Sequence, residues 1–162
     1  DFKKFYVQIS GVENATLTKE VATKDGAALQ VTFAYSNTAA AAVTVSGATY
    51  VAGTNAVLKL DLSQLVEIPG TFDVSKLTIQ YYKPNGTLAT INAATDIASA
   101  NLTPAAAPYA GYSKQLVITF ESSVQFAANK VGKVTINSDS AFAGINGQGA
   151  KKDSTIQFAR LN

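Results

Sequence analysis

Apolar and polar residues alternate with a period of two along most of the chain. Phe5, Val7 and Ile9 interleave with Lys4, Tyr6 and Gln8, and Leu29, Val31, Phe33 and Tyr35 with Gln30, Thr32, Ala34 and Ser36. The same rhythm recurs at Leu58, Leu60 and Leu62, at Leu77, Ile79 and Tyr81, and at Leu116, Ile118 and Phe120. Val134 and Ile136, then Ile156 and Phe158, complete the set. Successive side chains on a strand point to opposite faces, so each run has one face to bury and one to leave in water. Shorter candidate strands sit at 16–18, 43–45, 49–51 and 88–91.

Turn residues punctuate these runs. Lys83-Pro84-Asn85-Gly86 is the clearest turn, because proline presets one dihedral angle and Asn-Gly tolerates positive φ; it predicts a hairpin joining 76–82 to 87–92. Lys24-Asp25-Gly26 and Gly53-Thr54-Asn55 are weaker versions. Nine to eleven short strands at this spacing predict an all-β chain, an immunoglobulin-like or jelly-roll-type antiparallel sandwich. The segment 39–42 is read as loop or strand despite its alanines. Residues 93–111, rich in Ala, Pro and Asn, read as a long connection with one helical turn at 96–100. The chain is expected to be a single domain over 1–162. The alternative puts a boundary near 59–62 and an immunoglobulin-like domain at 60–162.

Composition narrows the chemistry. Of 162 residues, 47% are apolar and only 15% charged, below the average for soluble domains, with Thr and Ala making up the difference. Cys, His, Met and Trp are all absent from the sequence. Disulfides, thiolate metal sites, thiol nucleophiles and the commonest general base go with them. The missing initial Met suggests a fragment or processed form from which a leader could have been cut. No apolar run approaches the length of a membrane span, so no transmembrane segment is expected. The net charge of +2 comes from 12 Lys and one Arg spread along the chain, unlike the clustered basic face of a nucleic-acid binder.

Candidate sites are few. Asp61, Glu67, Asp73 and Glu121 are the carboxylates available for acid–base work, and nothing in their spacing pairs them as glycoside hydrolysis requires. Asn137, Asp139 and Asp153, around the Asn/Gly-rich stretch 137–149, offer hard oxygens for calcium without matching the spacing of a calcium loop. Tyr50, Tyr82, Tyr109 and Tyr112 are candidates for a ligand or partner contact, the last two forming a platform with Tyr82 or Tyr50. Tyr81 and Tyr82 must point to opposite faces. Glycosylation sequons at Asn14, Asn85 and Asn101 are no more numerous than the composition gives by chance.

Residues 72–162 resemble the immunoglobulin-like domains of bacterial surface-layer and cell-envelope proteins. The resemblance lies in Asp73-Val74-Ser75-Lys76-Leu77-Thr78-Ile79, the Lys83–Gly86 turn, 116–120 and Val134-Thr135-Ile136. Gly144-Ile145-Asn146-Gly147-Gln148-Gly149 and 155–158 complete it. The long 93–114 insertion and Val131, where those domains usually carry Tyr, depart from the pattern. Segment 73–82 also resembles a strand of family 3 cellulose-binding modules.

The resemblance implies a secreted, non-catalytic structural or adhesion module of a microbial cell wall or surface layer, often calcium-assisted. Such a module acts on protein domains of the same assembly. The alternative is a carbohydrate-binding or cellulosome-type scaffold module. No catalysis and no cofactor other than calcium are expected.

Overall fold

The computed structural model describes residues 40–160, together with the backbone of 15–19 and 31–35. Two compact units divide the chain, 1–41 and 42–162. In the first, β1 (Ala15–Lys19) and β2 (Val31–Tyr35) form an antiparallel ladder, with Leu17 opposite Phe33. The expected strand at 4–9 and the turn at 24–26 lie outside the described residues.

The second unit is all-β. Its strands are β3 (Val45–Val51), β4 (Val57–Glu67), β5 (Leu77–Tyr82), β6 (Leu88–Thr90), β7 (Ile97–Pro104), β8 (Tyr112–Phe120), β9 (Val131–Ile136) and β10 (Thr155–Ala159). They make two four-stranded antiparallel sheets, ordered β3-β4-β8-β7 and β10-β9-β5-β6. Eight strands therefore build the sheets, not the nine to eleven expected. One reason is that 43–45 and 49–51 are not separate strands. β3 begins at Val45 and takes in 49–51, with an irregularity between Val45 and Gly47, while Val43 makes an isolated bridge to Ala150.

A second difference is larger. The connection expected over 93–111 contains a strand: β7 pairs with β8, and the turn sits earlier, where Asp96 N–H bonds to the Asn92 carbonyl at 2.9 Å. Helix is confined to two three-residue 3-10 turns among the described residues. The predicted hairpin at Lys83–Gly86 forms, with Gly86 at φ 83°, a left-handed conformation that glycine adopts without strain.

Both sheets turn their apolar sets toward one core, giving a sandwich-like body. Leu58, Leu60, Leu62, Leu116, Ile118 and Phe120 come from the first sheet, Leu77, Ile79, Tyr81, Val134, Ile136 and Phe158 from the second. Phe126 enters from the β8–β9 connection. Its ring centroid lies 4.9 Å from Tyr50, 4.6 Å from Tyr81, 4.9 Å from Phe120 and 6.0 Å from Phe158. These separations suit tilted and edge-to-face contacts, which add to the area buried. The Phe126 carbonyl accepts a 2.6 Å bond from the Arg160 guanidinium.

The strand directions give the body two ends. The upper end carries connections 52–56, 83–87 and 121–130, and the lower end 68–76, 105–111 and 137–154. At the lower end Phe72 stacks on Phe142 at 5.4 Å. The 137–154 connection is bonded to neighbouring strands through Glu67 N–H to Ala143 O and Ile145 N–H to Leu65 O, at 2.8 and 2.9 Å. The Ser154 hydroxyl is buried there without a hydrogen-bond partner. An orphaned buried hydroxyl costs on the order of 1 kcal/mol, so S154A should raise the unfolding free energy by about that amount in urea melts. An unchanged or lowered stability would show that the hydroxyl is satisfied in solution.

Candidate functional site

The outer face of the second sheet follows from its strand register. β5 buries Leu77, Ile79 and Tyr81 and turns Thr78, Gln80 and Tyr82 outward, so the two adjacent tyrosines do part as their spacing requires. Cross-strand register then sets these residues beside those of the neighbouring strands. Thr78 stands beside Thr135, and Thr135 beside Thr155. Gln80 stands between Lys133 and Thr90, and Lys133 beside Gln157. One step further, Tyr82 is opposite Leu88, and Val131 opposite Ala159. A hydroxyl row, an amide and ammonium row, and an apolar row thus cross the sheet. The apolar row is the unusual one: Leu88 is 57% exposed and Val131 49%. The Lys130 ammonium lies 5.7 Å from the Tyr82 ring centroid, in range of a cation–π contact.

A cleft of about 370 Å³ opens at the upper end, between the β5–β6 hairpin and the β8–β9 connection. Tyr81 and Val124 line its buried side, and Lys83, Asp96, Ser123 and Gln125 its polar sides. The Asp96 carboxylate is held in place by the Asn92 N–H at 2.9 Å and the Thr95 hydroxyl at 3.1 Å. Burial raises the pKa of the Tyr81 phenol above its ordinary value, and the negative charge of Asp96 raises it further. Tyr50 is also raised by burial, with Arg160 opposing.

Phenols with raised pKa values hold their protons longer in the folded state. Their contribution to stability is complete below pH 10 and is lost as pH rises through the folded-state values. In an ultraviolet titration, Tyr50 and Tyr81 should therefore ionise above pH 10, and D96N should lower the pKa of Tyr81. A D96N titration identical to that of the parent would remove Asp96 as a neighbour of that phenol.

The four tyrosines singled out in the sequence do not converge. Tyr50 turns inward against Phe126 and Phe158. Tyr82 sits at the same end but on the outer face. Tyr109, 47% exposed, and Tyr112 belong to the β7–β8 hairpin at the lower end, where Tyr112 N–H bonds to Tyr109 O at 2.8 Å. Along β4, Tyr50 is paired at Leu58 and Tyr112 at Glu67, a separation of roughly 30 Å at the rise of a strand. Of the four, Tyr82 alone stands in the apolar row. Its opposite neighbour Leu88 comes across the predicted hairpin; Val131 needed the β5–β9 register.

No protein-family model matches the chain, nor does any curated protein or solved structure.

Asn137, Asp139 and Asp153 all lie in the 137–154 connection. The Asn137 side-chain oxygen accepts a 2.9 Å bond from Thr78, and Asp139 opens a 3-10 turn. Asp153 is exposed at φ 63°, with its N–H bonded to Ile136 O at 2.8 Å. Among the described residues no three Asp, Glu, His or Cys side chains gather where one metal ion could meet them. The four carboxylates considered for acid–base work are likewise dispersed. Asp61 accepts from the Gln115 amide at 2.9 Å, and Asp73 caps a 3-10 turn. The Ser75 hydroxyl and then its N–H hold the Asp73 pKa below the ordinary carboxylate value. Among the described residues no helix is long and apolar enough to cross a membrane.

Proposed function

We propose that this chain is a non-catalytic, immunoglobulin-like module of a microbial cell-surface assembly, of surface-layer type, acting by contact with neighbouring protein domains. Strand order is the observation that carries the reading. Lettering the strands of the second unit in chain order turns β3-β4-β8-β7 into A-B-E-D and β10-β9-β5-β6 into G-F-C-C′. That is the order of the immunoglobulin sandwich with one additional edge strand. The contact surface is the outer face of β10-β9-β5-β6, where Tyr82, Leu88 and Val131 keep apolar area in water. Exposed rows of this kind, rimmed by polar residues, mark places where proteins meet.

Light scattering on the purified chain, with calcium and with chelator, tests the reading together with antibody labelling of intact source cells. Self-association that weakens in the L88D/V131D variant, and labelling without permeabilisation, are the expected results. A chain that stays monomeric under all conditions and is labelled only after permeabilisation would overturn it.

A further inference from the structure

The upper-end cleft makes a second kind of site, which shares Thr90 with the protein-contact face and does not depend on that face for its reading. Its lining is electrically balanced: Lys83 brings one positive charge and Asp96 one negative. No ion pair joins the two among the described residues, so neither charge neutralises the other along the lining. An anionic ligand such as a phosphate would meet the Asp96 carboxylate, and a simple cation would meet Lys83. The other polar groups are the hydroxyls of Tyr81, Thr90 and Ser123 and the amide of Gln125. Each of these both donates and accepts. Their complement is a ligand whose own polar groups do the same, a neutral polyhydroxy compound. Pro84, Ala89 and Val124 supply the apolar patches that the C–H faces of a sugar ring need. The volume lies at the small end of the range for ligand sites, which suits one sugar residue better than an extended chain.

We infer that this cleft binds a single neutral sugar residue, with Asp96 and Gln125 as its orienting groups and Lys83 closing one side. Asp96 is suited to the role because its own turn fixes it. Each of its oxygens accepts one bond from the Asn92–Thr95 segment and retains a lone pair for a sugar hydroxyl. Pre-organised acceptors of this kind bind without the entropy cost of ordering a side chain. Tyr81, with its ring fixed against Phe126 at 4.6 Å, offers a hydroxyl and no stacking surface. Affinity should therefore be modest, with a Kd on the order of 1 mM. A free monosaccharide and the end residue of a glycan present the same hydroxyls except at the anomeric carbon.

Titration of the 15N-labelled chain with glucose, galactose, mannose and N-acetylglucosamine, each to about 50 mM and well past the ~1 mM affinity expected, tests the inference by amide shifts. At least one sugar should give saturable changes confined to residues 81–96 and 121–126. K83A/Q125A, which alters two exposed side chains, and D96N, which keeps an oxygen for the turn, should each weaken binding about tenfold while the remaining spectrum stays that of the parent. Binding of the methyl glycoside as well identifies a glycan end as the source; binding of the reducing sugar alone identifies the free sugar. Absence of saturable shifts with all four, shifts undiminished in both variants, or equal shifts from glycine or inorganic phosphate would overturn it.

Discussion

Replacing Phe126 with alanine should cost about 3–5 kcal/mol of unfolding free energy, the range for deleting a large buried aromatic side chain. The ring is 3% exposed and touches four others, two from each sheet. Removing it leaves a space between the sheets that none of these neighbours can fill without leaving its own strand register. Since whole domains are stable by only about 5–15 kcal/mol, a loss of this size takes much of the total. Chemical denaturation followed by far-ultraviolet circular dichroism measures it, and F126L provides the control. Leucine refills most of the volume and should recover more than half of the loss. If F126A unfolds at nearly the parental denaturant concentration, the aromatic cluster is not the bond between the sheets.

The second large effect is at Gly132. This residue lies directly opposite Phe158 on β9 and β10, and a β-carbon there would come within 2.7–2.8 Å of the ring's Cε atoms. The ring cannot yield, because it is packed against Phe126 at 6.0 Å and Tyr50 at 6.4 Å. Glycine is thus required by close approach, with an aromatic ring covering the bare backbone. G132A should destabilise by about 3 kcal/mol, at the upper end of the usual cost of overpacking. Combining it with F158L should recover part of that cost, a coupling that a double-mutant cycle reads directly. Strict additivity of the two substitutions would mean that they do not meet.

Much of the body was legible in the alternation of particular residues. Leu58, Leu60 and Leu62, Leu116, Ile118 and Phe120, and Leu77, Ile79 and Tyr81 all point inward as their period requires. What escaped has physical causes. β7 reads Ile97-Ala98-Ser99-Ala100-Asn101-Leu102-Thr103-Pro104, with Leu102 its one fully buried side chain. An edge strand needs little hydrophobic pattern of its own when its neighbour β8 supplies the pairing, and a terminal proline is tolerated there. Phe126 escaped for the opposite reason. It sits in a connection, where no period announces that a residue will be buried.

The candidate surfaces were the least legible part. The apolar row depends on register between strands some 50 residues apart in sequence, as Gln80 and Lys133 are. The cleft joins Lys83, Asp96 and Gln125 from three separate segments. Neither spacing nor composition carries that information, whereas the Lys83–Gly86 turn announced the hairpin between 76–82 and 87–92 through its own turn residues.

One contact at the lower end has a mechanical consequence. Val43 runs parallel to the segment around Ala150, donating to Gly149 O at 2.9 Å and accepting from Lys151 N–H at 2.7 Å. Chain direction places residue 42 at the lower end and residue 160 at the upper. Tension applied between those two points draws the paired segments past each other lengthwise. Their hydrogen bonds then carry load together, in shear, and do not open one after another like a zip. A module strung in a surface lattice would resist extension until that patch gives way as a unit.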